Sequence, residues 1–133
     1  MYVFADDQQL IACCTCPLTP NHLQTLSANK DLVSNTLTPG SPADISIMLV
    51  ASFGSCDASN PGPLVGGLRA WSTTLHAAPG GTFATTEIPF LDVPISGSGF
   101  DKMTQLCGFI KANGSGYGIC NSCTLGAAGA SKQ

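Results

Sequence analysis

The sequence predicts a mostly β fold, an antiparallel β-sandwich of about seven strands with one helix in the C-terminal half, stapled by disulfides. Short β-prone segments recur at a spacing of roughly 8 to 15 residues, and connections rich in proline and glycine separate them. Seven cysteines occur in 133 residues, of which 44% are hydrophobic. We expect one disulfide-rich domain over residues 1–123 and a Gly/Ala-rich tail over residues 124–133.

The first third of the chain predicts one hairpin and one central strand. Residues 1–5 and 8–14 are β-prone, and the Asp6-Asp7 pair between them is typical of a hairpin tip. Residues 45–52 alternate, with apolar side chains on both faces. We therefore expect this segment in the middle of a sheet, covered on both sides.

The second half predicts another hairpin. Residues 68–76 and 82–88 form its strands, joined by a Pro-Gly-Gly turn. The single tryptophan, Trp71, lies on the first strand and is expected to be a core residue or an interface anchor. Residues 90–95 follow between two prolines, which would confine them to a sheet edge.

Residues 100–112 have the spacing of a helix. The predicted buried face consists of Met103, Leu106, Cys107 and Ile110. Ser98 or Asp101 is expected to cap the first turn, and Asn113 begins the stop signal. A short strand over residues 116–120 should follow.

The cysteines indicate an oxidising compartment, so we expect disulfides and an extracellular or cell-surface location. They are Cys13, Cys14, Cys16, Cys56, Cys107, Cys120 and Cys123. An odd number requires a free thiol, a bond between chains, or a partner upstream of Met1. Adjacent cysteines bond each other only with strain, so the three N-terminal thiols should reach three different places. The helix, the terminal strand and the loop around Cys56 are the available ones.

Two other chemistries use cysteines at similar spacings, a zinc site and a redox pair. A tetrahedral zinc site would combine Cys120-x-x-Cys123 with the N-terminal cluster, but that cluster lacks the two-residue gap of a zinc knuckle. A redox pair requires a cysteine at a helix N-terminus, whereas glycines precede Cys120. No Cys-x-x-Cys-His motif for haem attachment occurs. We expect neither a metal nor a cofactor.

No motif predicts catalysis, and we expect no enzymatic activity. The histidines are His22 and His76, and no Gly-x-Ser-x-Gly elbow accompanies them. Asp6-Asp7 would suit calcium, but a hairpin tip explains the pair better. The glycine-rich segment 114–118 follows a helix instead of opening one, so it cannot present a helix N-terminus to phosphate.

Charge is scarce along the whole chain. Charged residues make up 10% of the chain, against about 25% in an average protein. The net charge is −3 with five scattered cations, so nucleic acid is not an expected partner. No run reaches the roughly 18 to 20 apolar residues of a membrane span, and no signal peptide is recognised. Asn113-Gly114-Ser115 matches the glycosylation sequon, so Asn113 is a candidate glycan acceptor.

One pattern runs through most of the chain. It comprises Tyr2-Val3-Phe4, Cys13-Cys14-x-Cys16-Pro17-x-Thr19-Pro20, Leu26-Ser27-x-Asn29-Lys30-Asp31-Leu32, Leu68-Arg69-Ala70-Trp71, Cys107-x-Phe109-Ile110 and Asn113-Gly114-Ser115-Gly116-x-Gly118-x-Cys120. With it the chain resembles a family of small, secreted, cysteine-rich bacterial proteins of uncharacterised function. The resemblance implies a signal peptide and one further β segment with an additional cysteine before Met1. It implies no activity.

These observations lead to two functional expectations. The first is an extracellular structural protein that assembles with other copies of itself into a filament or surface layer. Scarce charge, an odd cysteine and the edge that a missing first strand would leave open favour it. The alternative is a monomeric secreted module that binds carbohydrate or protein through exposed Trp71, Tyr117 or Tyr2. Exposure of Trp71 is informative, since a buried indole leaves little stacking platform.

Overall fold

The computed structural model describes residues 1–15, 18, 23–28, 44–55 and 57–113, and the backbone of residues 117–119 and 124–125. The described residues are mostly β with one α-helix, as predicted. Its elements are β1 (Tyr2–Ala5), β2 (Leu10–Thr15), β3 (Ile45–Met48), β4 (Trp71–Ala78), β5 (Thr82–Pro89), α1 (Gly97–Asn113), β6 (Tyr117–Ile119) and β7 (Thr124–Leu125). One sheet has five strands in the order β3-β1-β2-β6-β7, and β4 and β5 form a separate sheet of two.

The predicted N-terminal hairpin is confirmed and lies at the centre of the larger sheet. β1 and β2 are antiparallel, and Asp6-Asp7 lies at the tip, where the Asp7 carboxylate accepts a hydrogen bond from the backbone N–H of Gln9 at 3.1 Å. Both faces of this hairpin are buried. Val3 packs in one layer, and Tyr2 packs in the other, beneath α1.

The prediction that residues 45–52 form a central strand is wrong. β3 covers Ile45–Met48, occupies one end of the sheet order and pairs with β1. Its side chains are half-buried or exposed. Apolar residues on both faces of β3 suggested that it is covered on two sides, but β1 also has apolar residues on both faces. β1 is the interior strand, because β3 pairs with one of its edges and β2 with the other.

A bulge in β2 places Leu10 and Cys13 in the same layer, and the ordinary strand alternation beyond it places the adjacent Cys13 and Cys14 in opposite layers. Val3 pairs with Ala12 but Phe4 pairs with Leu10, so Ile11 is an extra residue in the ladder. Leu10 and Cys13 consequently both belong to the layer beneath α1, although they are an odd number of positions apart in the strand. Cys14 belongs to the opposite layer with Ile11.

The sheets do not form the antiparallel sandwich that the sequence predicts. The two-stranded sheet does not cover the larger one, because its residues are exposed on both faces almost throughout. The larger sheet is also mixed, since β2 and β6 run parallel. In the sequence, the alternation of Thr, Ser and Ala with larger apolar residues in β4 and β5 is typical of strands with one buried face. In the structure, both strands bury little apolar area. Residues 90–95, predicted as an edge, form no regular strand.

Helix α1 is where the sequence predicts it and packs against β2 and β6. Met103, Cys107 and Ile110 are buried, as expected, but Leu106 is half-exposed on the flank of the helix. The cap is neither of the predicted residues. The hydroxyl of Ser96 accepts a hydrogen bond from the backbone N–H of Gly99 at 3.1 Å, which is the usual geometry of an N-cap.

The C-terminal strands continue the larger sheet beyond β2. β6 pairs with β7, which occupies the first two residues of the segment expected to be a tail. Residues 126–133 lie outside the described residues.

Candidate functional site

The clearest candidate for an interaction surface is the hairpin of β4 and β5. Its strands pair over their full length, from Trp71 opposite Pro89 to Ala78 opposite Thr82. A short 3-10 turn at Pro79–Gly81 joins them, and its two glycines adopt the positive φ that favours glycine. The predicted second hairpin is thus confirmed, but it extends away from the core.

One face of this hairpin is largely apolar. Strand alternation and the pairing register place four apolar side chains together: Trp71, Leu75, Ala77 and Phe83. We call this the hairpin face, and it is completed by Thr73, Thr85, Glu87 and Pro89. The other face carries Ser72, Thr74, His76, Ala78, Thr82, Ala84, Thr86 and Ile88.

The large side chains of the hairpin face are in contact with solvent. Trp71 is 53% exposed, Leu75 64% and Phe83 66%. Exposure continues after the hairpin at Leu91 and Val93. Clustered apolar exposure of this kind is typical of surfaces that bind another protein, a ligand or a second copy.

The exposure of Trp71 decides between the two roles predicted for it. Trp71 is not a core residue, so the role of interface anchor or stacking platform remains. Of the other predicted stacking residues, Tyr2 is 2% exposed and belongs to the core, and the Tyr117 side chain lies outside the described residues. The sequence did not reveal Phe83, because its place opposite Ala77, on the same face as Trp71 and Leu75, depends on the register across the turn.

Two of the seven cysteines are joined in a described disulfide, between Cys13 and Cys107, whose Cα atoms are 5.9 Å apart. It links β2 to the middle of α1, which was one of the three predicted destinations. Cys14 is buried in the opposite layer, so the two adjacent thiols do diverge. The remaining predicted disulfide residues lie outside the described residues: Cys16, Cys56, Cys120 and Cys123.

Of the two histidines, the structure describes His76. His76 is exposed on the hairpin, where its Nε2 is 3.2 Å from the hydroxyl of Thr86. His22 lies outside the described residues. Within the described ranges, no three His, Cys, Asp or Glu side chains are close enough to hold a metal ion.

A polar cluster that sequence reasoning missed ties the loop around Asp57 to the sheet and to α1. The Tyr2 hydroxyl donates to the carbonyl of Ala58 at 2.9 Å. The Lys111 ammonium donates to the Asp57 carboxylate at 2.7 Å, and the Ser59 hydroxyl donates to the same carboxylate at 2.6 Å. Burial, and secondly the charge of Asp57, raises the pKa of Tyr2 to about 12.

The raised pKa of Tyr2 predicts that the folded protein loses stability at alkaline pH. Folding favours the neutral phenol of Tyr2, so the contribution of this group to the free energy of unfolding is complete below the ordinary pKa of 10.0. That contribution is lost as the pH rises towards 12. The loss should reach roughly 3 kcal/mol, at about 1.4 kcal/mol for each pH unit. Tyrosinate absorbance should show one phenol ionising near pH 12 in the folded protein.

Tyr2→Phe is the control for this prediction. It should cost about 1 kcal/mol at neutral pH, because the Ala58 carbonyl loses its donor. The late-ionising phenol should disappear, and the variant should lose less stability between pH 10 and pH 12 than the wild type. If the tyrosinate absorbance that appears near pH 12 is unchanged in the variant, the assignment of that pKa to Tyr2 is wrong.

A small cleft beside this cluster has room for water but not for an organic ligand. Its volume is about 30 Å³, and its lining includes Tyr2, Thr15, Asp57 and Phe100. Ligand pockets are usually about ten times larger or more. The Thr15 hydroxyl oxygen is buried without a hydrogen-bond partner among the described residues, and water in this cleft would satisfy it.

No helix in the described part of the chain is long and apolar enough to cross a membrane. Comparison of the sequence with protein-family models and with curated proteins, and of the fold with solved structures, found no match. The family resemblance therefore stays a prediction. The hairpin face is the feature on which a functional proposal rests.

Proposed function

We propose that this protein is an extracellular structural subunit, without catalytic activity, that associates with other copies of itself into a filament or surface layer. The observation that carries the proposal is the hairpin face. Trp71, Leu75 and Phe83 present exposed apolar side chains on one face of a hairpin that extends from the core. Burying such side chains against another chain is favourable, at about 25 cal/mol for each Å² of apolar area removed from water.

The charge of the chain favours a second copy as the partner. With a net charge of −3, two copies repel each other weakly. Glu87 is the only formally charged residue between Trp71 and Pro89, so the hairpin offers no cations to nucleic acid or to an anionic membrane. The Cys13–Cys107 disulfide supports an extracellular location, since such bonds persist in oxidising compartments.

Asn113 remains a proposed glycan acceptor. It lies at the exposed end of α1, and its amide donates to the carbonyl of Phe109 at 2.8 Å. An attached glycan would leave one amide N–H for that bond. The site is distant in sequence from the hairpin face, so glycosylation and assembly are proposed as independent properties.

Carbohydrate binding is the second candidate function, and the exposure of Trp71 favours it. An indole beside hydroxyls and a carboxylate is a common surface for stacking a sugar ring. Thr73, Thr85 and Glu87 share the face with Trp71 and would supply the polar contacts. Leu75 and Phe83 on the same face favour an apolar protein partner over a hydroxylated ligand.

Electron microscopy of the negatively stained protein tests the proposal. Ordered filaments or sheets at high protein concentration are the expected result. Single particles at every concentration, together with quenching of Trp71 fluorescence by an oligosaccharide, would overturn it in favour of the binding module. The single tryptophan makes that fluorescence signal specific to the hairpin.

A further inference from the structure

We infer that two copies join through the outer edge of β4, which pairs antiparallel with β4 of the second copy to make a four-stranded sheet. This inference rests on the proposed function, because it specifies the contact through which assembly begins. It concerns the backbone edge of the hairpin, whereas the proposed function was argued from the apolar side chains of the hairpin face.

One hydrogen bond at the base of the hairpin identifies the groups that face outward. The backbone N–H of Phe90 donates to the carbonyl of Ala70 at 3.0 Å, so this pair is hydrogen-bonded. Hydrogen-bonded pairs alternate with pairs whose backbone groups point away from the partner strand. Pro89, the next residue inward, has no N–H and fits a non-bonded pair with Trp71. The outward residues of β4 are therefore Trp71, Thr73, Leu75 and Ala77.

The two edges of the hairpin differ in how well they can accept another strand. Phe83, Thr85, Glu87 and Pro89 are the outward residues of β5 by the same alternation. Pro89 removes one donor and Glu87 adds a charge, both of which are features that protect edge strands. β4 contains no proline, no glycine and no formal charge over its eight residues. Among the described residues, no strand other than β5 pairs with it.

A second copy matches this edge in length, charge and side-chain placement. Antiparallel pairing of β4 with itself joins two strands of eight residues each. A two-fold axis perpendicular to the sheet keeps both hairpin faces on the same side, so Trp71 and Leu75 of the two copies form one larger apolar surface. The other candidate acceptor, β3, offers four residues and is partly buried.

Matched proline substitutions on the two edges test the inference. Thr73→Pro and Thr85→Pro each remove one outward N–H from the same residue type on the same face. Sedimentation velocity should show that Thr73→Pro weakens dimerisation by at least about tenfold, whereas Thr85→Pro changes it by less than about threefold. Near-ultraviolet circular dichroism of Trp71 would confirm that both variants retain the hairpin.

Amide hydrogen exchange of the wild-type protein gives a second test that needs no variant. The N–H groups of Leu75 and Thr85 both point outward, but from opposite edges. At concentrations where dimers form, Leu75 should be protected and Thr85 should exchange rapidly.

Three outcomes would overturn the inference. Greater sensitivity to Thr85→Pro would assign the contact to β5. Equal tolerance of both prolines, with assembly retained, would leave the proposed function standing but show that the hairpins stack through their faces. If the amides of Leu75 and Thr85 both exchange rapidly and the wild type is monomeric at every concentration, both the inference and the proposed function are wrong.

Discussion

Replacing Cys13 and Cys107 together by alanine is expected to lower the free energy of unfolding by roughly 2 to 5 kcal/mol. The bond closes a loop between residues separated by 94 positions, so it strongly restricts the unfolded chain. Both side chains are fully buried between β2 and α1. Alanine is preferable to serine here, because serine would add two buried hydroxyls to the core.

Urea unfolding of the double variant provides the measurement, with Ile110→Val as the matched control. Ile110 is buried on the same face of α1, and its truncation should cost about 1 kcal/mol. The double variant should also unfold with a steeper urea dependence, since its unfolded chain exposes more surface, while the control should not. If the free energy of unfolding falls by no more than in the Ile110→Val control, the disulfide does not stabilise the fold by restricting the unfolded chain.

Replacing Leu75 and Phe83 together by lysine is expected to stop assembly at the edge-paired dimer while leaving the fold intact. Two ammonium groups on the hairpin face cannot be buried against the hairpin faces of another dimer without a partner charge. Both residues are exposed in the single chain, so the free energy of unfolding should change by less than about 1 kcal/mol.

The control places the same charges on the other face. Thr74 and Ala84 have the same diagonal relation across the hairpin as Leu75 and Phe83, one register position away. Thr74→Lys with Ala84→Lys should therefore leave much of the association intact. Equal losses in the two double variants would indicate a general effect of charge, and the hairpin face would then have no specific role.

The sequence was most informative where the signal is local. The Asp6-Asp7 tip, the Pro-Gly-Gly turn and the spacing of Met103, Cys107 and Ile110 located two hairpins and the helix. Each depends on residues close together in the chain. The N-cap was predicted at Ser98 or Asp101, both of which lie inside α1, because the sequence around the start of α1 offers several capping residues and only the geometry selects Ser96.

Long-range placement was not predictable in the same way. β1 and β3 are both apolar on two faces, and nothing local indicates which of them the sheet places in the middle. The bulge at Ile11, which brings Leu10 and Cys13 into one layer, depends on the pairing partner and leaves no sequence signal. The sandwich prediction failed for a related reason, since strand propensity in β4 and β5 does not require that either face be covered.

The candidate site was predicted in part. Trp71 was identified because it is the single tryptophan and lies on a predicted strand. Phe83, on the same face as Trp71, and the polar cluster of Tyr2, Asp57 and Lys111 became visible only in three dimensions. The contacts of the polar cluster join residues that are tens of positions apart in the chain, so no spacing rule relates them.

The central claim is that the hairpin mediates association with a second copy, and sedimentation velocity across a wide range of protein concentration tests it most directly. We expect the sedimentation coefficient of the wild type to rise with concentration and that of the Leu75→Lys/Phe83→Lys variant to rise no further than the dimer value. A wild type that sediments as a monomer at every concentration, or a variant that associates as the wild type does, would contradict the claim.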